Sequence, residues 1–271
     1  MKYCICTFIF NNYEVVREPE EVDENCDYFL FTDNSELVSE KWKVIYLSEF
    51  DTDDYIGIQK TLKFKYTFYK YIPNFENYDY FIQIDGSIQL HKSLKDIISY
   101  MKKFKYDMSI ALHWGKNDFI DEYNTWMELR GLDKKYLYNF IHNINGYDLN
   151  TKGLIETTVK FYKNCKEILN FIDDVNMILE TSCESEDKND QCYFTYILSK
   201  HLDKLRINFT DYNLYRYSKY MIMMNHGVVY NPLITYHSWL PDNVNSGKFV
   251  DFLNKKIKIT PISDYEKFAE L

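Results

Sequence analysis

The chain has 271 residues, of which 46% are hydrophobic and 27% are charged, a balance typical of globular proteins and unlike that of disordered chains. Its formal net charge of -9 provides no general basic field for a phosphate backbone, so we do not expect a nucleic-acid partner. An α/β chain of this length commonly forms one domain, and we expect residues 1–271 to do so.

The N-terminal segment starts with a charged residue and an apolar run, but it lacks the small-residue cleavage pattern of a signal peptide. A buried first strand fits it better. No stretch reaches the ~18 apolar residues that a membrane span requires. We therefore expect a cytoplasmic protein with at most peripheral membrane contact. The six cysteines lack zinc-site spacing, so we expect free, mostly buried thiols.

Three short apolar runs bounded by polar residues come first, at residues 2–10, 28–32 and 42–47. Such runs predict strands. Residues 58–71 have apolar side chains at helical spacing and stop just before Pro73. This pattern predicts a helix that ends at the proline step.

Residues 78–85 are almost continuously apolar and end at Asp85, which predicts a buried fourth strand. Open α/β sheets bind ligands where such strands end. A helix is predicted for 93–105 with Ser93 as its N-cap, and a fifth strand for 107–112.

The remainder of the chain has more helical than strand patterns. Helices are predicted for residues 118–129, 133–143, 160–180 and 190–201, and one or two late strands for 228–236. The whole order predicts an α/β fold with a mixed, mainly parallel sheet flanked by helices.

Asp85 is the first candidate for chemistry. A carboxylate at a strand end is the hard oxygen ligand that Mg²⁺ or Mn²⁺ prefers. Gly86 would let a ligand approach closely, and Ser87 adds a hydroxyl. Asp-Gly is also a common turn signal, so the residues alone leave a metal site and a turn both open.

Two segments carry a resemblance to a known family. They are Asp-Tyr-Phe-Leu-Phe-Thr-Asp-Asn at 27–34 and Asn-Tyr-Asp-Tyr-Phe-Ile-Gln-Ile-Asp-Gly-Ser-Ile at 77–88, with Trp42 and a helix carrying Lys65 between them. This combination resembles a GT-A-like family of glycosyltransferases that is distantly similar to family-8 glycosyltransferases. The resemblance covers residues 1 to about 120.

The resemblance implies a GT-A-like, Rossmann-like sheet, with residues 1–115 binding a nucleotide sugar and 116–271 forming a helix-rich acceptor side. It implies transfer of a sugar from a UDP-sugar to a glycan or lipid-linked sugar, as in polysaccharide synthesis. Mn²⁺ or Mg²⁺ would assist departure of the diphosphate.

The metal site expected from this resemblance contains Asp85 and His237. The wider superfamily has Asp-x-Asp at this strand end, whereas this chain has Asp85-Gly86-Ser87. Family-8 enzymes complete the metal site with a late histidine, and His237 is similar in position. Alternatively, His237 packs beneath Trp239.

By the same resemblance, the ends of the first two strands would hold the nucleoside. The residues implied are Thr7, Phe8, Asn11, Asn12, Tyr13, Thr32, Asp33 and Asn34. Asp33 would accept hydrogen bonds from ribose hydroxyls, although Asp33 and Asn34 also suggest a turn. Lys65 would reach the diphosphate together with Asp85, Gly86 and Ser87, or else lie on a solvated helix face.

Asp190 and Gln191 resemble the Asp-Gln segment that family-8 enzymes place beside the reacting sugar carbon, which implies a catalytic role. Alternatively, Asn189 or Asp190 caps the following helix. His113 follows the fifth strand and would face the same cleft.

For the whole chain, a degenerate nucleotide- or glycan-binding module stays open because Ser87 replaces the second acid. A glycoside hydrolase is a third reading, without an acid pair that supports it.

Overall fold

The computed structural model describes residues 1–50, 57–113, 115–116, 118–130, 141–142, 144, 152–181, 190–216, 218–224, 249–253 and 255–267. Its strands are β1 (Tyr3–Ile9), β2 (Cys26–Thr32), β3 (Lys43–Tyr46), β4 (Tyr80–Ile84), β5 (Ile88–Leu90), β6 (Met108–Leu112), β7 (Ile155–Lys163), β8 (Ile207–Thr210), β9 (Met221–Met223), β10 (Phe249–Phe252) and β11 (Lys255–Thr260). Its helices are α1 (Gly57–Lys65), α2 (Lys95–Phe104), α3 (Phe119–Arg130), α4 (Lys166–Thr181), α5 (Asp190–His201), α6 (Asn213–Arg216) and α7 (Ile262–Glu266).

Among the described residues, nine strands form one sheet in the order β10-β11-β8-β6-β7-β4-β1-β2-β3, and β5 pairs with β9 in a small second sheet. In the large sheet β7 runs antiparallel to both of its neighbours and β10 runs antiparallel to β11. The remaining pairs are parallel. The predicted mixed, mainly parallel α/β sheet with flanking helices is confirmed.

Strand β1 shows how helices cover both faces of the sheet. Its side chains alternate between two hydrophobic cores, one that contains Cys4 and Cys6 and one that contains Tyr3 and Ile5. The first core also contains residues of α1, α4 and α5, and the second contains residues of α2, α6 and α7. A strand buried on both faces reads as a continuous apolar run, which is why β1, β2 and β4 were predictable.

The helix predicted for residues 160–180 is wrong at its start, because residues Ile155–Lys163 form β7. All of its residues except Lys163 are buried. Its β-branched residues suit a strand that pairs on both sides, with β4 and β6. Helix α4 begins only at Lys166.

Two further boundaries differ from prediction. Helix α1 ends at Lys65, and a separate 3-10 helix covers Phe68–Tyr71. Leu94, not Ser93, occupies the N-cap position of α2. The Ser93 hydroxyl accepts a hydrogen bond from the Lys95 amide (3.2 Å) and donates one to Asp23 (2.7 Å).

Most of the predicted helix 133–143 and all of the predicted strand 228–236 lie outside the described residues. The described cysteines are free, and of these only Cys165 is partly exposed. Within the described ranges, no helix combines the length and apolar character needed to cross a bilayer.

Candidate functional site

The site lies where the parallel strands β1, β2 and β4 end, called here the carboxyl edge of the sheet. Asn11 follows β1 closely, Asp33 follows β2 directly, and Asp85 follows β4 directly. Because β7 is antiparallel, its first residues lie at this same edge, and the Asp85 amide donates to the Thr158 carbonyl (2.9 Å). Side chains from distant parts of the sequence therefore meet where open α/β sheets bind ligands.

Lys65, the last residue of α1, joins two acids at this edge. Its Nζ is 3.4 Å from Asp85 Oδ1 and 3.0 Å from Asp190 Oδ2. It also donates to the Thr157 hydroxyl (3.2 Å), and only 6% of the lysine side chain is exposed. The alternative that placed Lys65 on a solvated helix face is therefore wrong.

Asp190 is the first residue of α5 and accepts three hydrogen bonds at one oxygen. Besides Lys65, its Oδ2 accepts from the Tyr66 hydroxyl (2.9 Å) and the Thr157 hydroxyl (2.9 Å). Its position at a helix N-terminus also favours negative charge. Asp190 thus lies within the helix while its carboxylate contacts α1 and β7; Asn189 lies outside the described residues.

The pKa values of these groups shift because they are buried together. Burial alone would lower the pKa of Lys65, but Asp190 and Asp85 outweigh it and raise that pKa above its usual range. Burial would raise the pKa of Asp190, but Lys65 and Lys160 outweigh it and lower that pKa. At Asp85 burial prevails over Lys65 and raises the pKa. Lys65 and Asp190 are therefore a charged pair at neutral pH.

Lys160 and Glu156 belong to this cluster and were missed by the sequence analysis. Lys160 is fully buried, lies opposite Gln83 in the ladder between β4 and β7, and donates to the Thr157 carbonyl (2.9 Å). Burial and the charge of Lys65 lower the pKa of Lys160 well below its usual range. Recognition of β7 as a strand beside β4 would have placed Lys160 and Glu156 at the carboxyl edge.

Glu156 occupies the side of the cluster next to α5. Its Oε1 accepts from the Thr158 hydroxyl (2.6 Å) and from Gln191 Nε2 (3.2 Å). Its Oε2 is 3.7 Å from Nε2 of His113, so this histidine lies at the same edge. Glu156 is 5% exposed, and it links Gln191 to the strand that carries Lys160.

A second cluster surrounds Asp33 at the end of β2. Asp33 Oδ1 accepts from the Asn11 amide (2.9 Å), and Oδ2 pairs with Lys60 Nζ (2.8 Å). Lys60 also donates to Asn11 Oδ1 (2.9 Å). Asn11 and Asn12 have φ of 53° and 51°, a left-handed conformation that asparagine tolerates better than most residues. Both oxygens of Asp33 are therefore engaged within the protein.

The other residues predicted to hold the nucleoside differ in how exposed their side chains are to a ligand. Phe8 is fully buried and packs against Phe64, so its ring presents no face to a base. Thr7 and Thr32 are also buried, whereas Tyr13 is 40% exposed. Tyr13 is thus the aromatic side chain of the predicted set that a ligand can reach.

Gly86 has a structural reason to be glycine. A Cβ there would lie 3.1 Å from the Phe8 carbonyl oxygen and 3.4 Å from Cγ of Glu14. The Gly86 carbonyl accepts from Arg17 (2.7 Å), which also forms a buried ion pair with Glu14 (2.7 Å). Close packing on the loop after β1 accounts for this glycine. Ser87 is buried, and its carbonyl accepts from the Met224 amide (2.9 Å).

The predicted metal ligands are Asp85 and His237, and His237 lies outside the described residues. Asp85 Oδ1 already accepts from Gln83 (3.1 Å) and lies beside Lys65. Over the ranges that the structure describes, no three His, Cys, Asp or Glu side chains are grouped so that they could hold a metal ion. These residues alone do not fit a divalent cation.

No protein-family model matches the sequence, and no curated protein matches it significantly. Among solved structures it is similar to mouse xyloside xylosyltransferase 1, at 10% identity over 78% of this chain and 86% of that one, with a TM-score of 0.43.

It is also similar to core-mannan synthase A of Aspergillus fumigatus in a Mn/GDP form, at 10% identity over 77% of this chain and 72% of that one, with a TM-score of 0.44. The mannosyltransferase Ktr4p of S. cerevisiae gives 11% identity over 77% and 68%, with a TM-score of 0.41. These likenesses are distant in both sequence and structure.

Proposed function

We propose that the chain is a glycosyltransferase that transfers a sugar from a nucleotide-diphosphate donor to a hydroxyl group of a glycan or lipid-linked sugar. The observation that carries the proposal is the buried bridge from Lys65 to Asp85 and Asp190. Three separate elements, α1, β4 and α5, bring these charges to the carboxyl edge. Buried charge is costly to maintain, and ionisable groups with shifted pKa values cluster at functional sites.

Helix α1 supports a donor that spans two clusters. Lys60 reaches Asp33 and Lys65 reaches Asp85, and five helical residues correspond to about 7.5 Å along the axis. Strands β2 and β4 both flank β1, so their ends are about 10 Å apart. We assign the nucleoside to the Asp33 cluster (Asp33, Asn11 and Lys60), with Tyr13 as its aromatic contact. The sugar is assigned to the Asp190 cluster (Asp190, Asp85, Glu156 and Lys65), and the diphosphate lies between the two clusters.

Lys65 and Asp190 then have distinct chemical roles. Lys65 keeps its proton because its pKa is raised, and its ammonium faces the negative charge that grows on the departing diphosphate. Asp190, ionised and fixed by Tyr66 and Thr157, holds the donor sugar or accepts the proton of the acceptor hydroxyl. The bond between the sugar carbon and the diphosphate oxygen breaks, the acceptor oxygen bonds to that carbon, and the hydroxyl proton passes to Asp190 or, where Asp190 holds the sugar instead, to the departing diphosphate.

UDP as the nucleotide and Mn²⁺ or Mg²⁺ as the cation stay predictions from the family resemblance. A metal would supply further positive charge for the diphosphate. The described residues do not complete a metal site, so the roles of Lys65 and Asp190 are derived without one. Mn and GDP belong to the form of the Aspergillus structure.

The test is nucleotide release from a panel of UDP- and GDP-sugars, with Mn²⁺ or with EDTA, for the wild type and Asp85→Asn. We expect release from one donor. Because Asp85 helps to hold the Lys65 ammonium that faces the diphosphate, we expect a loss of about 100-fold in the variant, the scale for removal of one preorganised hydrogen bond to developing charge. Asp203→Asn is the charge-matched control, because that side chain is 93% exposed.

Each outcome separates the proposal from its main rival. Release by the wild type and by Asp203→Asn, but not by Asp85→Asn, would support the transferase. Intact nucleotide binding without any release would favour the degenerate binding module, for which Ser87 in place of a second acid is the supporting observation. Release by all three proteins at equal rates would place the chemistry elsewhere.

A further inference from the structure

The cluster around Asp190 has more hydrogen-bond acceptors than donors on its side next to α5. Gln191 Nε2 donates to Glu156 Oε1 (3.2 Å), whereas its Oε1 is buried and has no hydrogen-bond partner in the described part of the chain. Turning the amide over would place its oxygen against the carboxylate, so the orientation is determined by Glu156. The free group at Gln191 is therefore an acceptor.

Gln83 repeats this arrangement beside Asp85. Its Nε2 donates to Asp85 Oδ1 (3.1 Å), and its buried Oε1 also has no partner among the described residues. Buried acceptors are normally satisfied, because an unsatisfied one costs most of its hydration free energy. Of the two glutamines, Gln191 is the one that is partly exposed. An occupant of this side of the cluster must bring hydrogen-bond donors.

The charges restrict the occupant further. Three carboxylates, those of Asp85, Glu156 and Asp190, lie near two lysines, Lys65 and Lys160. Lys65 is already paired with two of the acids. Lys160 is fully buried and donates to the Thr157 carbonyl (2.9 Å), so its ammonium group is not accessible to an added ligand. An added carboxylate would meet acids without a free cation among these groups.

We propose that the cluster of Asp85, Glu156, Asp190 and Gln191 binds the hydroxyl groups of an uncharged sugar and rejects a sugar that carries a carboxylate. A sugar hydroxyl is a hydrogen-bond donor and can satisfy these acceptors. A uronic acid would place like charge against Glu156 and Asp190, and such repulsion is a strong source of specificity. This inference rests on the proposed function, because it names the class of sugar on the donor.

The test compares the dissociation constants of UDP-glucose and UDP-glucuronate, and of UDP-galactose and UDP-galacturonate, by calorimetric titration. The members of each pair differ only in the carboxylate. We expect each uronate to bind at least about tenfold more weakly than its neutral partner. Equal affinities, or tighter binding of the uronates, would overturn this inference alone. Failure of all four donors and of their GDP analogues to bind would instead overturn the proposed function on which it rests.

Two variants, one that removes a negative charge and one that adds it, test whether charge causes the discrimination between neutral sugars and uronates. Glu156→Gln keeps the shape and removes a charge, so the ratio of the two dissociation constants should fall severalfold. Gln191→Glu adds a charge at a partly exposed position, so the ratio should rise. Asp203→Asn, in the turn after α5 and 93% exposed, should leave the ratio unchanged. A ratio that does not move with the charge at 156 or 191 would contradict the inference.

Discussion

Two clusters of similar composition lie at opposite edges of the sheet. At the carboxyl edge, Asp190 contacts Lys65 and the Tyr66 hydroxyl. At the other edge, Asp27 pairs with Lys2 (2.9 Å) and Lys43 and accepts from the Tyr78 hydroxyl (2.7 Å). Each cluster combines an aspartate with lysine and tyrosine.

The clusters differ in what surrounds the lysine. The side chains of Lys2 and Lys43 are 51% and 62% exposed, whereas that of Lys65 is 6% exposed. Water can replace the exposed partners, so such pairs contribute little to stability. Water cannot replace the partners of Lys65, because the lysine side chain is buried. Lys65 also pairs with a second acid, Asp85. The same residue types thus serve as a surface contact at one edge and as a preorganised charged site at the other.

Replacing one lysine of each cluster should give the largest difference between them. Lys65→Met leaves two carboxylates without their cation, and losing one partner of a buried pair costs about 3–5 kcal/mol. Lys43→Met should cost less than about 1 kcal/mol, because the pair is exposed. Urea unfolding of both variants measures this. Similar losses of unfolding free energy would contradict the contrast between the two edges.

Lowering the pH should reduce the contribution of Asp27 to the free energy of unfolding. This effect is smaller than the loss expected for Lys65→Met. Burial would raise the pKa of Asp27, but Lys43, Tyr78 and Lys2 outweigh it and lower that pKa. A lowered carboxyl pKa stabilises the fold above the unfolded value of about 3.9, and this stability is lost as the pH falls through the folded value.

Asp27→Asn should therefore cost about 1 kcal/mol at pH 7 in low salt, and less at pH 3 or in 1 M salt, which screens the pairs. Unfolding free energies of wild type and variant under the three conditions check this. A cost that is the same at pH 3 as at pH 7 would show that the charge of Asp27 is not what stabilises this edge.

The sequence predicted the fold well where burial made the strands continuously apolar. Strands β1, β2, β4 and β6 were found for that reason. Strand β7 escapes prediction: residues 155–159 are assigned no element and 160–163 fall in the predicted helix, because Glu156, Thr157 and Lys160 interrupt the apolar pattern of the strand. Those polar residues are buried because they form the charged cluster, so the error in the secondary structure and the missed site residues have one cause.

The site itself was only partly predictable. Asp85 could be placed at a strand end from the local pattern, whereas Lys65 and Asp190 were proposed through the family resemblance. Their contact joins residues 125 positions apart, which no periodicity encodes. The pairing of Asp33 with Lys60 was not anticipated either, because a turn residue and a helical lysine carry no signal of their contact. His237 as a metal ligand stays a prediction.

The most direct test of the account compares one aspartate from each cluster. Nucleotide release from the preferred donor should be measured for Asp190→Asn and Asp27→Asn, after circular dichroism has shown that both are folded. We predict that Asp27→Asn keeps the wild-type rate within about twofold, and that Asp190→Asn loses at least about 100-fold, the lower range for a positioned acid or base. Equal rates for the two variants would contradict the claim that the carboxyl edge of the sheet performs the chemistry.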